Sequence, residues 1–268
     1  QKLYKMKKII FTGGNGRFAK IFKNIKTNFR IIYPSKQQLD ILNINKIRRL
    51  LKKEKPYYLI HCAALSRPMN IHHQDIKKSI DLNIIGTANL VKICKLYKIK
   101  LIYFSTGYVY DGKKGNYKET DAVKPFNNYG LSKSFQSIYA LNHAKQFKTK
   151  IIIARVSNIF GENMSDKFFL KKAYDYKPTQ KNKTIIYKNF KRDYIHIDIV
   201  IKMLYKLMHN GATGEVYNIG SGVAKSNFKI FREILNKHKV NINMNNIEIK
   251  DNKTSSTIYF DIRKFNLI

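Results

Sequence analysis

Cysteine is scarce in this sequence, and tryptophan is absent. The 268 residues include two cysteines, Cys62 and Cys94, each within an apolar stretch. Two cysteines are too few for a disulfide framework or a cysteine-rich zinc site, so we interpret both as packing residues and expect no metal.

Long apolar runs are also missing. No stretch approaches the roughly 20 apolar residues that a helix needs to cross a bilayer. The start of the chain runs directly into a glycine-rich segment at residues 13–16 instead of a signal-peptide cleavage site. We therefore expect a cytoplasmic protein without a membrane partner.

Acidic residues are few, with 17 Asp plus Glu against 52 Lys plus Arg and a formal charge of +35. Such a charge suggests nucleic-acid binding, because cations neutralise phosphates. Only nine of the 52 are arginine, however, and arginine is preferred for bidentate phosphate and base contacts. The lysines are spread over nearly the whole chain, whereas a dedicated binder concentrates charge on one face. We interpret the excess as a lysine-rich surface and expect no dedicated nucleic-acid partner.

The first half of the chain alternates short apolar runs with longer helical patterns, which is typical of a parallel sheet covered by helices. Strands are predicted at Lys8–Thr12, Phe29–Tyr33, Tyr57–Cys62, Lys100–Ser105 and Lys150–Arg155. Helices are predicted between them, at Gly16–Asn24, Ile44–Lys53, Asp75–Tyr97 and Asn128–Phe147. These elements predict the α/β class.

The alternation weakens in the second half. We expect residues 1–157 to form the main domain, with residues 191–222 returning to it through a helix at Ile195–His209 and a strand at Glu215–Ile219. Residues 158–190 and 223–268 would then form a smaller, interleaved C-terminal lobe. No low-complexity linker separates the two parts.

The first predicted strand leads into a glycine turn and then a helix. Gly13 can make the tight turn, Gly16 lets a pyrophosphate approach the backbone, and Ala19 lets the helix pack closely on the strand. The phosphates would lie at the helix N-terminus, where unpaired N–H groups favour an anion. A lone glycine pattern is equally consistent with a structural turn, but its place at the head of the series favours a dinucleotide site.

The end of the second predicted strand bears on which dinucleotide binds. An acidic residue that holds the adenosine ribose usually stands there, but this chain has Tyr33, Pro34, Ser35 and Lys36. Ser35 and Lys36 could accommodate a 2′-phosphate, which favours NADP(H), with NAD(H) as the alternative. Lys36 could equally be one more surface lysine.

Tyr129 and Lys133 lie four residues apart at the start of a predicted helix, so they share one face. An ammonium near a phenol lowers the phenol's pKa and makes it a usable proton donor near neutrality. The pair alone could be a surface contact, since the chain has 18 tyrosines. Thr106, at the end of the preceding strand, is placed where α/β enzymes carry their chemistry and could share a substrate oxygen with Tyr129.

Nine segments, taken in order and at their spacing, resemble the extended short-chain dehydrogenase/reductase family of nucleotide-sugar-modifying enzymes. The segments are TGGNGRFA (12–19), LDI (39–41), HCAA (61–64), DLNIIGTANL (81–90), FSTGYVYDG (104–112), ETDAVKPFNNYGLSK (119–133), ARVSNIFGE (154–162), RDYIHID (192–198) and YNIGSG (217–222). The resemblance covers almost the whole chain. It implies a Rossmann-type doubly wound parallel sheet, an NAD(P)-binding main domain and a substrate-binding smaller lobe.

The resemblance also implies roles for individual residues. Cofactor contacts are implied for the pyrophosphate at Gly13, Gly16, Arg17 and Phe18, for adenine at Asp40 and Ile41, and for the nicotinamide side at Ala63 and Ala64. The implied catalytic triad is Thr106, Tyr129 and Lys133, and Asn158 and Arg192 would hold the substrate's nucleotide diphosphate. Tyr129 and Lys133 are also implied cofactor contacts, with Lys133 bonding to the nicotinamide ribose. Arg67 follows HCAALS toward the expected cleft and could bind sugar or phosphate, or be exposed. His72 and His73 are interpreted as a solvated turn.

The residues after Thr106 bear on the reaction. The 4,6-dehydratases of this family carry an Asp-Glu pair there, but this chain has Gly107 and Tyr108. The sequence is closer to the branch of dTDP-4-dehydrorhamnose reductases, although that branch has Asp where Gly107 stands. The resemblance therefore implies an NAD(P)H-dependent oxidoreductase that reduces the 4-keto group of a 4-keto-6-deoxy nucleotide sugar. A homodimer is a further expectation. An NAD-dependent nucleotide-sugar epimerase and a non-catalytic dinucleotide-binding subunit stay open as alternatives.

Overall fold

The structure is a computed structural model, which describes residues 6–24, 27–66, 69–161, 168–251 and 255–268. The strands are β1 (Lys8–Thr12), β2 (Arg30–Ile32), β3 (Tyr58–His61), β4 (Lys100–Thr106), β5 (Ile151–Val156), β6 (Asn158–Phe160), β7 (Thr184–Tyr187), β8 (Phe190–His196), β9 (Glu215–Ile219), β10 (Ala224–Ser226), β11 (Ile247–Lys250) and β12 (Ser256–Ile258). The α-helices are α1 (Arg17–Phe22), α2 (Ile44–Glu54), α3 (Ile71–Gln74), α4 (Ile76–Ile80), α5 (Gly86–Leu96), α6 (Asn128–Phe147), α7 (Lys171–Tyr174), α8 (Ile197–Asn210), α9 (Asn227–Lys237) and α10 (Arg263–Asn266).

The central sheet has six parallel strands in the order β2-β1-β3-β4-β5-β9. Its inner strands β1, β3, β4 and β5 are mostly buried, as expected for a parallel sheet covered by helices, whereas the edge strand β2 is partly exposed. Ile9 and Phe11 pack in one core with α1 and α8, whereas Ile10, between them, packs in the other core with α2 and α5. The α/β class and the Rossmann-type parallel sheet predicted from the sequence are confirmed.

A smaller group of strands is built around β8. It pairs with β6, β10 and β12, while β7 and β11 form a separate parallel pair. A third core, which includes Phe231 and Ile234 of α9, lies in this part of the chain. After β8 and α8 the chain returns to the central sheet, where β9 pairs with β5.

The helix predicted at Asp75–Tyr97 is present from Ile76 to Leu96, with a π-helical segment inside it. The structure divides it into α4, a π-helical segment at Asp81–Ile85, and α5. Within the π-helical segment, the Asn83 side chain bonds to residues outside the helix, and the Thr87 hydroxyl donates to the Asn83 carbonyl. These tertiary hydrogen bonds leave no trace in hydrophobic periodicity.

The helix predicted at Ile195–His209 begins two residues later, at Ile197. The preceding residues extend β8 through His196, whose Nδ1 accepts a hydrogen bond from the Asp198 N–H and caps α8. In the described part of the chain, none of the helices has the length and apolar character needed to cross a membrane.

Candidate active site

A cleft of about 360 Å³ opens at the carboxyl ends of the central strands, where parallel α/β sheets bind ligands. It brings together six residues that the sequence singled out: Phe18, Ala64, Thr106, Tyr129, Lys133 and Asn158. The first and the last of these residues, Phe18 and Asn158, are more than a hundred residues apart in the chain.

Thr106 ends β4 at this cleft and is largely buried. Its Oγ1 accepts a hydrogen bond from the Tyr108 N–H at 3.3 Å, which caps a short 3₁₀ turn at Gly107–Val109. Because this contact uses an acceptor site of the oxygen, the hydroxyl hydrogen stays available to a substrate oxygen.

Helix α6 carries Tyr129 in its first turn. The Asn127 side chain accepts from the Gly130 N–H at 2.9 Å and caps the helix. A Cβ at Gly130 would lie 2.0 Å from the Tyr108 carbonyl oxygen, so only glycine lets this turn lie against the backbone after Thr106. The glycine therefore sets how closely Tyr129 approaches the end of β4.

Lys133 lies one turn further along α6 and is 3% exposed. Its Nζ lies 4.3 Å from the centroid of the Tyr103 ring. Burial lowers the pKa of Lys133 to about 7, and the Cys62 thiol acts weakly in the opposite direction. Lys133 is therefore a cation that can lose its proton near neutral pH.

The glycine turn adjoins the same edge of the sheet. Gly13 has φ +78°, and a Cβ there would lie 3.0 Å from the Ala63 nitrogen, so a side chain does not fit. The Gly16 N–H donates to the Gly13 carbonyl at 2.7 Å and closes the turn. Gly14 is buried against Tyr33, whereas Gly13 is half-buried and Gly16 is exposed, so a ligand can approach the backbone of the turn at these two glycines.

The residues expected around the adenosine lie away from the cleft. Ser35 is half-buried and its N–H donates to Gln38, whereas Lys36 is exposed. Asp40 accepts from the Leu42 N–H, and Ile41 is buried. None of these residues lines the cleft, and their cofactor roles stay predictions.

The residues expected to hold the substrate diphosphate differ in their surroundings. Asn158 lines the cleft, and Arg192 lines a small recess beside it. The Arg192 guanidinium donates to the carbonyl and the hydroxyl of Ser256 at 2.7 and 2.6 Å and is largely buried. Arg67 and the side chain of Arg17 lie outside what the structure describes.

The profile of the RmlD substrate binding domain family matches residues 6–257. This chain belongs to that family. Among curated relatives, the dTDP-D-glucose 4,6-dehydratase of Dictyostelium discoideum is 32% identical over 212 residues, which are 74% of this chain and 48% of that protein. The chain thus spans about half the length of that relative. The GDP-6-deoxy-D-talose 4-dehydrogenase of Aggregatibacter actinomycetemcomitans is 27% identical over 256 residues, 92% of this chain and 83% of that protein.

A solved structure shows the same fold. The dTDP-4-dehydrorhamnose reductase of Bacillus anthracis, in complex with NADP, matches this RmlD-family chain with a TM-score of 0.87 and 22% identity. The match covers 98% of this chain and 92% of that one.

Gly107 departs from the dehydratase pattern and equally from that of the reductase branch, since both have Asp at this position. A Cβ at Gly107 would lie 3.1 Å from Phe260 Cζ and 3.2 Å from Ile258 Cγ2, so these two side chains would have to shift by a few tenths of an ångström to admit this Asp. The next position of the dehydratase pattern, a Glu, is occupied here by Tyr108, whose ring lies against Phe126. Tyr108 lines the cleft, so an aromatic side chain stands where the dehydratase pattern of the sequence analysis has Glu.

Sequence reasoning missed two residues of the RmlD-family site. His72 was expected in a solvated turn, which is wrong: it is 2% exposed, bonds to Ser79 Oγ at 2.7 Å and lies 5.2 Å from the Tyr129 ring. Cys62 was interpreted as packing only, but it lines the cleft. Cys94 is fully buried in the core, as predicted. No local pattern marks His72, because its burial comes from packing on α6.

Proposed function

We propose that this chain reduces the 4-keto group of a nucleotide-linked 4-keto-6-deoxy sugar with NAD(P)H. The observation that carries the proposal is the meeting of Thr106, Tyr129 and Lys133 in one cleft beside the glycine turn. Membership of the RmlD family supports it, and one relative is named as a 4-dehydrogenase of a GDP-linked 6-deoxy sugar.

The residues of the turn fit a dinucleotide. Gly13, Gly16, Arg17 and Phe18 would hold its pyrophosphate, and Ala63 and Ala64 would line its nicotinamide side. Asp40 and Ile41 would bracket adenine. When bound, NAD(P)H supplies the hydride that the C4 carbon accepts.

Cofactor preference would depend on the end of β2. No carboxylate stands between Tyr33 and Lys36, and Lys36 is exposed. Ser35 and Lys36 would accept a 2′-phosphate, so NADP(H) is favoured over NAD(H). The related reductase of Bacillus anthracis is in complex with NADP, which agrees with this preference.

Tyr129 would supply the proton. As the C4 carbonyl oxygen gains negative charge, the Tyr129 phenol donates its proton to that oxygen, and the hydride and the proton together complete the alcohol. The Thr106 hydroxyl donates a hydrogen bond to the same oxygen and orients it. The ammonium of Lys133 stabilises the phenolate that remains on Tyr129 until a solvent proton replaces the one transferred.

The substrate diphosphate would lie on Asn158 and Arg192, with Arg67 as a further candidate. Arg192 is held from behind by Ser256, so its direction is fixed before a ligand arrives. Nη1 and Nη2 both donate to Ser256, and Nη1 also donates to the Lys191 carbonyl, so Nε and the second hydrogen of Nη2 would face the diphosphate. A fixed guanidinium loses little conformational entropy on binding.

We also propose the domain division expected from the sequence. Residues 1–157 with 191–222 would form the cofactor-binding domain, and residues 158–190 and 223–268 the substrate-binding lobe. The pairing of β9 with β5 and the separate core around α9 support this division. The cytoplasmic location and the lack of a nucleic-acid partner stay predictions.

A homodimer would form through α6. Between residues 131 and 142, every exposed side chain on α6 is uncharged: Leu131, Phe135, Ile138, Tyr139 and Asn142. The neighbouring α4 exposes Ile76 and Ile80, with the exposed Lys77 and Lys78 between them. In a chain of charge +35, two copies avoid repulsion best on the neutral apolar face of α6, and this face complements itself.

The decisive experiment supplies purified protein with NADPH or NADH and a panel of 4-keto-6-deoxy sugars linked to dTDP, UDP or GDP. We expect NADPH to be consumed in step with a 4-hydroxy product. An epimerase would regenerate its cofactor and show no net consumption, and a non-catalytic subunit would bind the dinucleotide without converting any sugar. Either result would refute the reductase.

A further inference from the structure

His61 ends β3 in the middle of the central sheet and is 1% exposed. Both of its ring nitrogens have partners. Nδ1 lies 2.8 Å from Thr12 Oγ1 at the end of β1, and Nε2 lies 2.9 Å from Thr87 Oγ1 on α5. The ring therefore spans the space between the start of the glycine turn and the helix layer.

The hydrogen-bond partners decide which nitrogen carries the proton. The Thr87 hydroxyl donates its one hydrogen to the Asn83 carbonyl at 3.1 Å, so toward His61 it can only accept. Nε2 therefore carries the hydrogen and Nδ1 is an acceptor. Thr12 donates to Nδ1 and accepts from the Ala63 N–H at 3.2 Å, so every group has one consistent direction.

The ring is neutral. Burial, together with the nearby Lys133, lowers the pKa of His61 to about 3. If Nδ1 carried a proton, it could no longer accept from the Thr12 hydroxyl. That hydroxyl would have to rotate so that its oxygen accepts from Nδ1 while still accepting from the Ala63 N–H. The neutral form with hydrogen on Nε2 is the one that both neighbours accept.

The chain of hydrogen bonds continues from Asn83 to α6. The Asn83 amide nitrogen donates to the Leu65 carbonyl at 2.9 Å and to Ser132 Oγ at 3.1 Å, and its oxygen accepts from the Leu65 N–H. Ser132 Oγ donates to the Tyr129 carbonyl at 2.8 Å. Asn83 thus joins the loop after β3 to the helical turn that carries the proposed acid.

We propose that His61 is a positioning residue, which holds the glycine turn and the first turn of α6 in one fixed arrangement through Thr12 and Thr87. Its effect on turnover rests on the reductase function proposed above. Without the ring, the Thr12 and Thr87 hydroxyls lose a common partner, and Ala63 and Tyr129 are no longer held relative to each other. His61 is buried and is not among the residues that line the cleft.

The test compares two histidine–threonine pairs. His143 Nδ1 lies 2.8 Å from Thr149 Oγ1 near the far end of α6, which gives a matched bond away from the cleft. We expect His61→Leu to lower kcat on the order of 100-fold, as for a displaced reacting group, with a smaller change in KM. His143→Leu should lower the Tm but leave kcat unchanged. A folded His61→Leu variant with the kcat of His143→Leu would overturn the proposal.

Thr87→Val provides a second variant, because it removes the bond to Nε2 and nearly preserves volume. We expect it to lower kcat, and we expect the double variant with His61→Leu to be no slower than His61→Leu alone. If the two substitutions lowered kcat additively, His61 and Thr87 would not act through one series of hydrogen bonds, and the proposal would be overturned.

The tautomer is tested on the unaltered protein with ¹⁵N-labelled histidine. NMR should show a protonated Nε2 and an unprotonated Nδ1 for His61, unchanged from about pH 5 to about pH 8. A proton on Nδ1, or titration in this range, would overturn the proposal. If the unaltered protein reduced no sugar, the reductase function would be refuted. The NMR spectrum alone would then test the hydrogen-bond arrangement proposed for His61.

Discussion

The amine of Lys133 lies 4.3 Å from the centroid of the Tyr103 ring, and both side chains are buried. The ring face offers the cation an electrostatic partner. Among the described residues, no carboxylate acts on the pKa of Lys133, which burial holds near 7. An amine buried without a carboxylate partner destabilises the fold, and such a group in a cleft is a candidate for a functional role.

Replacing the amine should stabilise the protein and stop turnover. We expect Lys133→Met to raise the free energy of unfolding by about 2 kcal/mol or more at neutral pH. In the unaltered protein, water stabilises the charged lysine in the unfolded chain and not in the fold, and the variant lacks this advantage of the unfolded state. Urea unfolding measures it. Lys145→Met, at an exposed position of the same helix, should leave both stability and turnover unchanged.

The difference in the free energy of unfolding between Lys133→Met and the unaltered protein should depend on pH. The pKa of Lys133 is about 7 in the fold and 10.5 in the unfolded chain, so the unfolded state binds more protons between these values. Stability from this group therefore rises as pH increases from about 7 to about 10. We expect the gap between Lys133→Met and the unaltered protein to shrink over that range and to be constant below it. A gap that widens with pH would contradict the assignment.

Tyr129→Phe removes the proposed proton donor. We expect turnover to be lost while the Kd for NADPH stays nearly unchanged, because the ring remains and only the hydroxyl goes. Fluorescence titration of NADPH separates binding from turnover. Tyr139→Phe, at an exposed position on the same helix, should remain active. Activity in Tyr129→Phe would refute the acid assignment.

The elements that depend on local pattern were predictable from the sequence. β1 and α6 lie where the apolar runs and helical spacing place them, and the glycine turn follows β1 as expected. The π-helical segment was not predictable, because it depends on bonds from Asn83 to Leu65 and Ser132, which are distant in sequence.

The candidate site divides in the same way. Tyr129 and Lys133 are marked by their spacing on one helix, and Thr106 by its place at a strand end. Neither the burial of His72 nor the direction of Arg192 has a local signal, because each is set by side chains from other elements: Tyr129 and Ser256.

Gly107 should not tolerate a side chain. We expect Gly107→Asp to lower the free energy of unfolding by roughly 1–3 kcal/mol, since the new Cβ meets Phe260 and Ile258. Combining it with Phe260→Leu should recover part of the loss, measured as a coupling in a double-mutant cycle. No coupling would mean that Phe260 does not limit the space.

The α6 face can be tested by adding charge. We expect the unaltered protein to be a dimer by light scattering, and Phe135→Glu or Ile138→Glu to make it monomeric, because a buried carboxylate at the interface lacks a partner. Leu267→Glu, at a position that is 87% exposed, should leave the dimer intact. A monomeric unaltered protein would refute this interface.

The central claim is hydride transfer to C4, with Tyr129 as the acid. The most direct measurement supplies NADPH deuterated at its transferable position with a 4-keto-6-deoxy nucleotide sugar, and locates the label by NMR and mass spectrometry. The account predicts a single deuterium at C4 of the product, one NADPH oxidised per sugar, and neither event in Tyr129→Phe. A product without deuterium, or a changed sugar with no NADPH consumed, would contradict it.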